Sequence, residues 1–403
     1  VARVVEGEGG PGAAEVKAEG VTVEGAARRE LALLPNQPQR IEFAVDVPTP
    51  PYLADGSLAR SSVAFTVGAE RTADGARDAF EVRLPIRDDR DRVTVRLLQD
   101  LEAGTPVAIP GPKEAVRPGT LRRSVLVSDQ PGLVRMAAGL DFLLSYPYGC
   151  TEQKLSRARA QVALRRFRTV LAQTGDDGAV DRAVADVLDA LPQALDGDGL
   201  AAYWPGSPGY VSLTAWVVQF LVEAREAGYR VDPKLFDTTT RALERALRSD
   251  YSRFIDGESF AERAWALVAL AQAGKYNPAY AAELARKAQF LDLEASAEVL
   301  HAMARSGDAS SAASRELARK LMDGLVVRLH QGREIYGGLQ DTATVRNGLI
   351  LTGETRTVAE VTRALARADQ ANPRLQVLVD ALVTLGRGDG WGSTNANAAA
   401  QLA

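Results

Sequence analysis

The hydrophobic periodicity of the chain changes near residue 130, and this change limits the folds that the chain can adopt. Before that point apolar and polar residues alternate, as at Phe65 and Val67, which predicts strands with one apolar face. Beyond it apolar residues recur every three or four positions, as at Leu213, Trp216 and Phe220, which predicts amphipathic helices. We therefore expect a multidomain chain in which an antiparallel β region precedes an all-α region.

The segment 1–87 contains three alternating runs separated by turn-forming residues. The runs are Ile41, Phe43, Val45 and Val47; Val63, Phe65 and Val67; and Phe80, Val82 and Leu84. Turns are predicted at Thr49-Pro50-Pro51 and at Ala73-Asp74-Gly75, where Pro and Gly interrupt the alternation. This pattern is typical of an antiparallel β-sandwich, which we expect to be present only in part.

The segment 88–129 has a weaker pattern. Two strands are predicted, around Val93-Val95-Leu97 and around Val125-Val127, with a Pro/Gly-rich stretch from Gly104 to Gly119 between them. Two interpretations remain open. The pattern fits one half of a β domain, and it also fits a linker that contains two strands.

Glycine residues recur at the ends of the predicted helices in 130–403. They are Gly228, Gly274, Gly307, Gly353 and Gly386, and the intervals between them alternate between 46 and 33 residues. Glycine is the usual residue just past a helix. An aromatic residue followed by a glycine turn also recurs, in the sequences Trp204-Pro205-Gly206, Tyr336-Gly337-Gly338 and Trp391-Gly392. Stacked helix pairs are therefore predicted, in either an α/α toroid or a helical solenoid.

The most specific chemical signal is the string Tyr-Pro-Tyr-Gly-Cys-Thr-Glu-Gln at 146–153, which contains the only cysteine of the chain. Pro147 ends a preceding helix, and Gly149 permits an unusual backbone conformation before a new helix starts. Cys150 and Gln153 are three residues apart and share one face of a helical turn. The Cys150 sulfur can therefore attack the Gln153 side-chain carbonyl and expel ammonia, which stores an acyl group on a thiolate.

The alternative is that Cys150 is a small buried apolar residue. A cysteine nucleophile of a hydrolase would need a histidine nearby, and nothing in the sequence connects His301 or His330 to Cys150. Tyr146 and Tyr148 flank the cysteine and are candidates for shielding a thioester from water. The alternative for both is a packing role at the helix junction.

The eight-residue string resembles the thioester motif of the α2-macroglobulin and complement family, and it is most similar to the form found in bacterial α2-macroglobulins. Cys150, Glu152 and Gln153 match the motif, and Gly149 matches the glycine before the cysteine. Thr151 stands where animal members have glycine, and Lys154-Leu155 replaces their Asn-Met. Neither difference removes a bonding atom.

The resemblance implies a fold for each part of the chain. It implies the later part of a macroglobulin-like β-sandwich for 1–87, the first half of a CUB-like domain for 88–129, and an α/α-toroid thioester domain for 130–403. Glu152 and Gly149 would support the motif, and Tyr146 and Tyr148 would shield it.

The resemblance also implies a function. A Cys150–Gln153 thioester would trap attacking proteases covalently through their lysine amines, so the protein would be a protease inhibitor with a single-use thioester and not an enzyme. The implied partners are target proteases and the rest of a parent α2-macroglobulin, in the periplasm or cell envelope, with membrane tethering only through a missing N-terminal lipid anchor. Because no histidine lies between Gln153 and His301, we expect amines to be acylated in preference to hydroxyls.

Composition excludes several other classes. The net charge is −4 with both signs interspersed, so no nucleic-acid footprint is present. One cysteine and two histidines exclude a disulfide framework and a multi-histidine metal site, and we expect neither metal nor cofactor. The sequence contains no apolar run of about 18 residues and no signal peptide. We interpret the start at Val1 as the start of a piece excised from a longer protein.

Two rival functions remain open at this stage. An α/α-toroid glycan-active enzyme would need paired carboxylates, for which Asp196, Asp198 and Glu262 are candidates. A non-catalytic helical interaction scaffold would leave the Cys150 thiol unmodified. Neither rival explains the Cys-Thr-Glu-Gln string.

Overall fold

The structure is a computed structural model that describes residues 10–87, 93, 95, 97, 99, 101–113, 116–123, 125–129, 131–165, 177–255, 259–340, 353–386 and 390–403. The chain divides into two compact units. They are Val1–Val95 with Gln99–Val125, and Arg96–Leu98 with Leu126–Ala403. The domain boundaries expected at 87 and 129 remain predictions.

The described part of the first unit contains six strands in two antiparallel sheets. The strands are β1 (Gly10–Ala18), β2 (Thr22–Glu24), β3 (Arg28–Leu33), β4 (Ala44–Asp46), β5 (Ser62–Arg71) and β6 (Arg77–Pro85). The larger sheet has the order β3-β1-β5-β6, and β2 pairs with β4. The predicted turn at Ala73-Asp74-Gly75 joins β5 to β6, and Gly75 there has a φ of 73°. The predicted antiparallel sheet structure is therefore present.

The first alternating run forms less strand than its sequence predicts. Of the run from Ile41 to Val47, only Ala44–Asp46 is a strand, because its partner β2 is also three residues long. In β6 the apolar residues Phe80 and Leu84 share one face and are 59% and 53% exposed. Alternation therefore identified the strand but not the burial of its apolar face.

The segment 88–129 does not contain the second of its two predicted strands. Val125 and Val127 are described, and neither lies in a strand. The strand predicted around Val93, Val95 and Leu97 falls partly outside the described residues. Within the described part of 88–129 no residue is assigned to a helix or a strand.

The second unit contains twelve described helices and one hairpin. The helices are α1 (Pro131–Ser145), α2 (Thr151–Arg165), α3 (Asp177–Ala190), α4 (Val211–Glu226), α5 (Pro233–Ala246), α6 (Phe260–Gln272), α7 (Pro278–Arg286), α8 (Leu293–Arg305), α9 (Ala312–Asp323), α10 (Glu354–Ala368), α11 (Leu375–Leu385) and α12 (Thr394–Leu402). The hairpin strands are β7 (Leu325–His330) and β8 (Arg333–Leu339).

The even-numbered helices contact one another in a closed cycle. Helix α2 contacts α4, which contacts α6, and the order continues through α8, α10 and α12 back to α2. The odd-numbered helices pack against members of this cycle, as α5 does against α4 and α6. Helices α4, α6 and α8 are buried on every side, as expected for helices surrounded by other helices.

Contacts between neighbouring members of the cycle join equivalent positions. Trp216 and Trp265 are each the sixth residue of their helices, and their rings are 6.3 Å apart. Arg356 near the start of α10 pairs with Glu294 near the start of α8 at 2.8 Å. Thr394 begins α12 and bonds Glu152 in the first turn of α2. In each of these three pairs, the contact joins the N-terminal halves of the two helices.

The hairpin contradicts the prediction that the region after 130 is all-α. Strands β7 and β8 are antiparallel and are joined by Gln331 and Gly332, which both have positive φ values of 50° and 78°. Such a two-residue turn matches the twist of a hairpin. Tyr336-Gly337-Gly338 therefore lies within β8 and does not form a turn.

The glycine pattern is confirmed at four of its five positions. Gly228, Gly274 and Gly307 follow α4, α6 and α8 in the left-handed conformation, and Gly386 follows α11. Gly353 precedes α10, and the segment before it, 341–352, lies outside the described residues. Its assignment as a helix stop therefore stays a prediction.

Candidate functional site

The eight-residue string forms the junction between α1 and α2. Helix α1 ends at Ser145 before Pro147, and α2 begins at Thr151, as the Pro/Gly break predicts. Cys150 directly precedes the first residue of α2 and is 7% exposed. Glu152 lies in the first turn of that helix, where a carboxylate interacts favourably with the helix dipole.

Cys150 and Gln153 are in contact through the backbone of the cysteine. The Cys150 N–H donates a hydrogen bond to Oε1 of Gln153 at 3.1 Å. The glutamine side chain therefore folds back over the turn and brings its carbonyl group to Cys150. A donor on this oxygen polarises the carbonyl carbon and would stabilise the oxyanion that forms when sulfur attacks it.

The environment of Cys150 favours its neutral form. Cys150 is a free, buried thiol in the structure. Burial raises its pKa, and the nearby Glu152 carboxylate adds to the effect. A thiol in this environment holds its proton at neutral pH, so it is less nucleophilic than an exposed cysteine.

Glu152 is buried beneath the turn, where hydroxyl groups from two helices reach it. Its Oε1 accepts a hydrogen bond from Ser156 at 2.6 Å. Thr394 at the start of α12 donates to both carboxylate oxygens, at 3.0 and 2.9 Å. Burial nevertheless raises the pKa of Glu152, because hydroxyl donors replace only part of its hydration.

Thr151 is bound from the opposite side by the segment that precedes α4. Its backbone N–H and its hydroxyl both donate to the carbonyl oxygen of Tyr203, at 2.9 and 3.0 Å. The two residues between Cys150 and Gln153 are thus each attached to a separate part of the fold.

Tyr203 is a neighbour of the site that the sequence analysis did not identify. Its side chain is half-buried and packs edge-to-face on Tyr210, with 5.7 Å between the rings. Burial raises the pKa of its phenol, and the negative charges that Glu152 and Cys150 carry when they are ionised raise it further. Its only sequence signal is its position beside the Trp204-Pro205-Gly206 turn.

A small cavity of about 90 Å³ lies next to the motif. Gly149, Thr151 and Lys154 form part of its wall, and Tyr203 and Trp204 form another part. The Lys154 side chain passes beside Gly149, since a Cβ on this glycine would lie 3.3 Å from Lys154 Cε.

The two tyrosines of the motif differ in exposure. Tyr146 is half-buried between Phe142 and Tyr148, at ring distances of 5.5 and 5.7 Å. Tyr148 is 69% exposed. Of the two, Tyr146 is therefore the better candidate for shielding.

His301 lies within α8, away from the N-terminal ends of the helices. It is the ninth residue of α8 and is 8% exposed. Burial lowers its pKa well below the usual value, and the charges of Arg363, Arg305 and Arg367 lower it further. His330 ends β7. Neither histidine has a described contact with the motif.

Comparison with known proteins identifies the relatives of this chain. The sequence is 28% identical to α2-macroglobulin of Escherichia coli K12 over 267 residues, which covers 61% of this chain and 16% of that protein. The resemblance to bacterial α2-macroglobulin is confirmed. No protein-family model matches the sequence.

Solved structures of bacterial α2-macroglobulins have the same fold. A crystal structure of native E. coli α2-macroglobulin, spanning domain MG7 to the C-terminus, matches with a TM-score of 0.58 at 19% identity and covers 98% of this chain and 60% of that one. Salmonella α2-macroglobulin reacted with methylamine matches with a TM-score of 0.57 at 18% identity, covering 98% and 25%. This chain therefore spans only part of each relative.

The carboxylates proposed for a glycan-active enzyme have structural roles in this α2-macroglobulin-like chain. Asp196 accepts hydrogen bonds from the backbone N–H groups of Leu200 and Gly209 and pairs with Arg253. Burial opposes its ionisation, but these donors together lower its pKa. Glu262 accepts from the backbone of Ile255 at 2.9 Å. A general acid needs a raised pKa, so Asp196 does not fit that role.

The described residues contain no group of three His, Cys, Asp or Glu side chains that could hold a metal ion. No helix among them combines the length and the apolar character that crossing a membrane requires.

Proposed function

We propose that this chain carries the reactive thioester of an α2-macroglobulin-like protease inhibitor, formed between Cys150 and Gln153. The observation that carries the proposal is the hydrogen bond from the Cys150 N–H to Gln153 Oε1 in a buried turn of matching sequence. This contact brings the carbonyl carbon of Gln153 to the residue that bears the thiol.

Thioester formation needs no group from outside the motif. The Cys150 sulfur adds to the Gln153 Cδ, and the Cys150 N–H stabilises the oxygen of the tetrahedral intermediate. The C–N bond then breaks, and the nitrogen leaves as ammonia with the proton of the thiol. The products are one thioester and one ammonia molecule.

Acyl transfer to a lysine amine consumes the thioester. The amine nitrogen adds to Gln153 Cδ, the C–S bond breaks, and the sulfur of Cys150 takes up a proton. The result is an amide between Gln153 and the attacking protein and a free thiol. Because the amide is not reversed, each molecule reacts once, which is the behaviour of an inhibitor and not of an enzyme.

An amine preference is supported by the position of the histidines. Transfer to hydroxyls through an acyl-imidazole would need a histidine at Gln153, whereas His301 is buried among arginine residues in α8. We infer that primary amines, including lysine side chains, are the main acceptors. Salmonella α2-macroglobulin, which this chain resembles, was crystallised after reaction with methylamine.

The closed cycle of contacts among the six even-numbered helices supports an α/α toroid for the helical unit. In such a toroid the motif would lie at the N-terminal end of an inner helix, where helix dipoles favour negative charge. Tyr146 would shield the thioester from its position between Phe142 and Tyr148, whose rings it meets at 48° and 66°. The remaining parts of the proposal concern the whole protein. They are protease partners, other domains of a parent α2-macroglobulin, and a periplasmic or cell-envelope location.

A fluorescent primary amine tests the acyl-transfer proposal. The chain is incubated with dansylcadaverine or with an equal concentration of labelled glycerol, digested, and the labelled peptide is sequenced by mass spectrometry. We expect dansylcadaverine on Gln153, little glycerol label, and no label at all in Cys150→Ala. Equal labelling of Cys150→Ala would contradict thioester chemistry, and glycerol labelling that disappears in His301→Ala would contradict the amine preference.

A further inference from the structure

The four residues from Cys150 to Gln153 form a ring when the thioester closes, and tertiary contacts anchor the two that link its ends. Thr151 is fixed by the Tyr203 carbonyl, 52 residues away. Glu152 is fixed by the hydroxyl of Thr394, 242 residues away. The ring geometry therefore depends on parts of the fold that are distant in sequence.

Thr394 and Ser156 both donate hydrogen bonds to Glu152, but they differ in the helix to which they attach it. Ser156 is four residues after Glu152 in α2, so it moves with the turn and cannot hold it relative to other elements. Thr394 belongs to α12, which contacts α2 and closes the cycle of helices. Of these two hydroxyl contacts, the one from Thr394 holds the carboxylate of Glu152 against a second helix.

The hydrogen bonds from Thr394 and Ser156 restrict the position of Glu152, because all three side chains are buried. Glu152 and Thr394 are each 5% exposed, and Ser156 is fully buried. A hydrogen bond to a charged group is stronger than one between neutral groups, and a buried carboxylate that loses a donor pays a desolvation penalty. Glu152 is therefore confined to the position in which both hydroxyls reach it.

We propose that Thr394 is a positioning residue for the thioester, whose hydroxyl acts through Glu152 to hold the turn in which Cys150 Sγ and Gln153 Cδ meet. The inference rests on the proposed thioester function. Thr394 does not touch the reacting atoms, and its hydroxyl keeps its proton throughout. Its effect is on geometry, because a displacement of about 1 Å between reacting groups can cost roughly a hundredfold in rate.

The test compares three variants with the wild-type chain. Thr394→Val removes the hydroxyl at nearly constant volume, and Thr394→Ser retains it. Thr362→Val is the matched control, because Thr362 is also buried in a helix of the cycle but donates only to Val358 of its own helix, at 2.6 Å. Intact mass gives the fraction of chains that lack one ammonia. The rate at which this fraction regains mass in buffer gives the rate of thioester hydrolysis.

We expect Thr394→Ser to match the wild type and Thr394→Val to hydrolyse roughly tenfold faster or to form correspondingly less thioester, as loss of a charge-assisted hydrogen bond predicts. Thr362→Val should retain the wild-type fraction of chains that lack ammonia and the wild-type rate of thioester hydrolysis, although its thermal midpoint changes about as much as that of Thr394→Val. Equal behaviour of Thr394→Val and Thr362→Val would overturn the proposal. If Thr394→Val does not fold, Thr394→Ala serves as the second hydroxyl-free variant.

A double-mutant cycle separates positioning through Glu152 from a general loss of packing. In a Glu152→Gln background, Thr394→Val should change the hydrolysis rate much less than in the wild type, and an unchanged effect would contradict action through Glu152. Failure of the underlying function has a separate signature. A wild-type chain with no ammonia deficit would refute the thioester itself, and the positioning role with it.

Discussion

Gln153 has the arrangement that an internal acylation requires, since its carbonyl oxygen already accepts a hydrogen bond from the residue whose sulfur would attack it. The raised pKa of Cys150 would affect the proposed thioester. A thiolate that is poorly stabilised is a poorer leaving group, so burial would slow premature transfer as well as exclude water. Exposure of the turn to solvent would reverse both effects.

Replacement of Tyr146 should accelerate the reaction of the thioester with small amines. Tyr146 is half-buried between two aromatic rings, whereas Tyr148 is largely exposed. We expect Tyr146→Ala to increase the rate of methylamine uptake roughly two- to tenfold, which corresponds to loss of aromatic contacts worth about 0.5–1.5 kcal/mol. The rate is measured from the release of the Cys150 thiol.

Tyr148→Ala is the matched control for this prediction, because it removes the same atoms from the exposed neighbour. Its rate should rise less than that of Tyr146→Ala, because it removes one of the two ring contacts of Tyr146 and leaves the half-buried ring in place. A larger acceleration in Tyr148→Ala than in Tyr146→Ala would show that the exposed ring is the shield.

At the residue scale, the sequence could predict only the local part of the site. Cys150 and Gln153 were identifiable because one helical turn sets their separation. Tyr203 and Thr394 were not, because their contacts with Thr151 and Glu152 span 52 and 242 residues. A threonine at the start of a helix has the same local sequence whether it caps the helix or anchors a distant carboxylate.

At the level of elements, α1 packs closely against α12 at Gly139. A Cβ at this position would lie 2.6 Å from Trp391 Cζ3 and less than 3 Å from Gln401 and Asn397. Glycine is costly in a helix interior, so its presence here reflects the close approach of the two helices.

Gly139→Ala should destabilise the helical unit by about 1–3 kcal/mol, the usual cost of overpacking. Gly132→Ala in the same helix is the control. A Cβ there would meet only Val383 at 3.8 Å, an ordinary contact, so helix propensity should make this variant neutral or up to about 1 kcal/mol more stable. Urea unfolding of both variants measures the difference. Equal stabilities would contradict the packing described for Gly139.

Periodicity predicted the helices well and the hairpin poorly. Helices such as α4 and α6 have continuous apolar faces that span several turns, so their type was clear. The strands β7 and β8 are six and seven residues long and lie between helices. The Gln331-Gly332 turn lacks the Asn or Asp that usually marks a hairpin, so a helical interpretation prevailed.

At the scale of the whole helical unit, the interior of the helix cycle contains ion pairs as well as apolar side chains. The guanidinium of Arg356 lies over Trp265 at 4.0 Å and over Trp216 at 4.6 Å and pairs with Glu294. Burial raises the pKa of Glu294 to about 7. The sequence could not predict this interior, because a charged residue on an amphipathic helix normally faces solvent. The sequence could not predict closure of the cycle either, because the contact between α12 and α2 joins residues that are far apart in the chain.

The buried His301 should make the stability of the helical unit depend on pH. Its folded pKa lies well below the usual value near 6.5. Its contribution is therefore present above pH 6.5 and is lost as the pH falls below it, when the unfolded chain binds a proton that the folded chain does not. The contribution of Glu294 to stability depends on pH in the opposite direction. Its raised pKa favours the folded state below about pH 4.5, and that contribution is lost as the pH rises through about 7.

Comparison with His301→Gln isolates the histidine, since Glu294 contributes equally to both proteins. We expect the free energy of unfolding of the variant to rise relative to that of the wild type as the pH falls from 7.5 to 5, by up to about 1.4 kcal/mol per unit below 6.5. Urea unfolding at a series of pH values measures this difference. A difference that stays constant with pH would mean that His301 binds its proton as readily in the folded state as in the unfolded chain.

Intact mass of the native chain, before and after methylamine, tests the central claim most directly. The account predicts a native mass that is short by one ammonia, followed by uptake of one methylamine and the appearance of one titratable thiol at Cys150. A full mass with a titratable thiol before methylamine, and no uptake afterwards, would contradict the Cys150–Gln153 thioester.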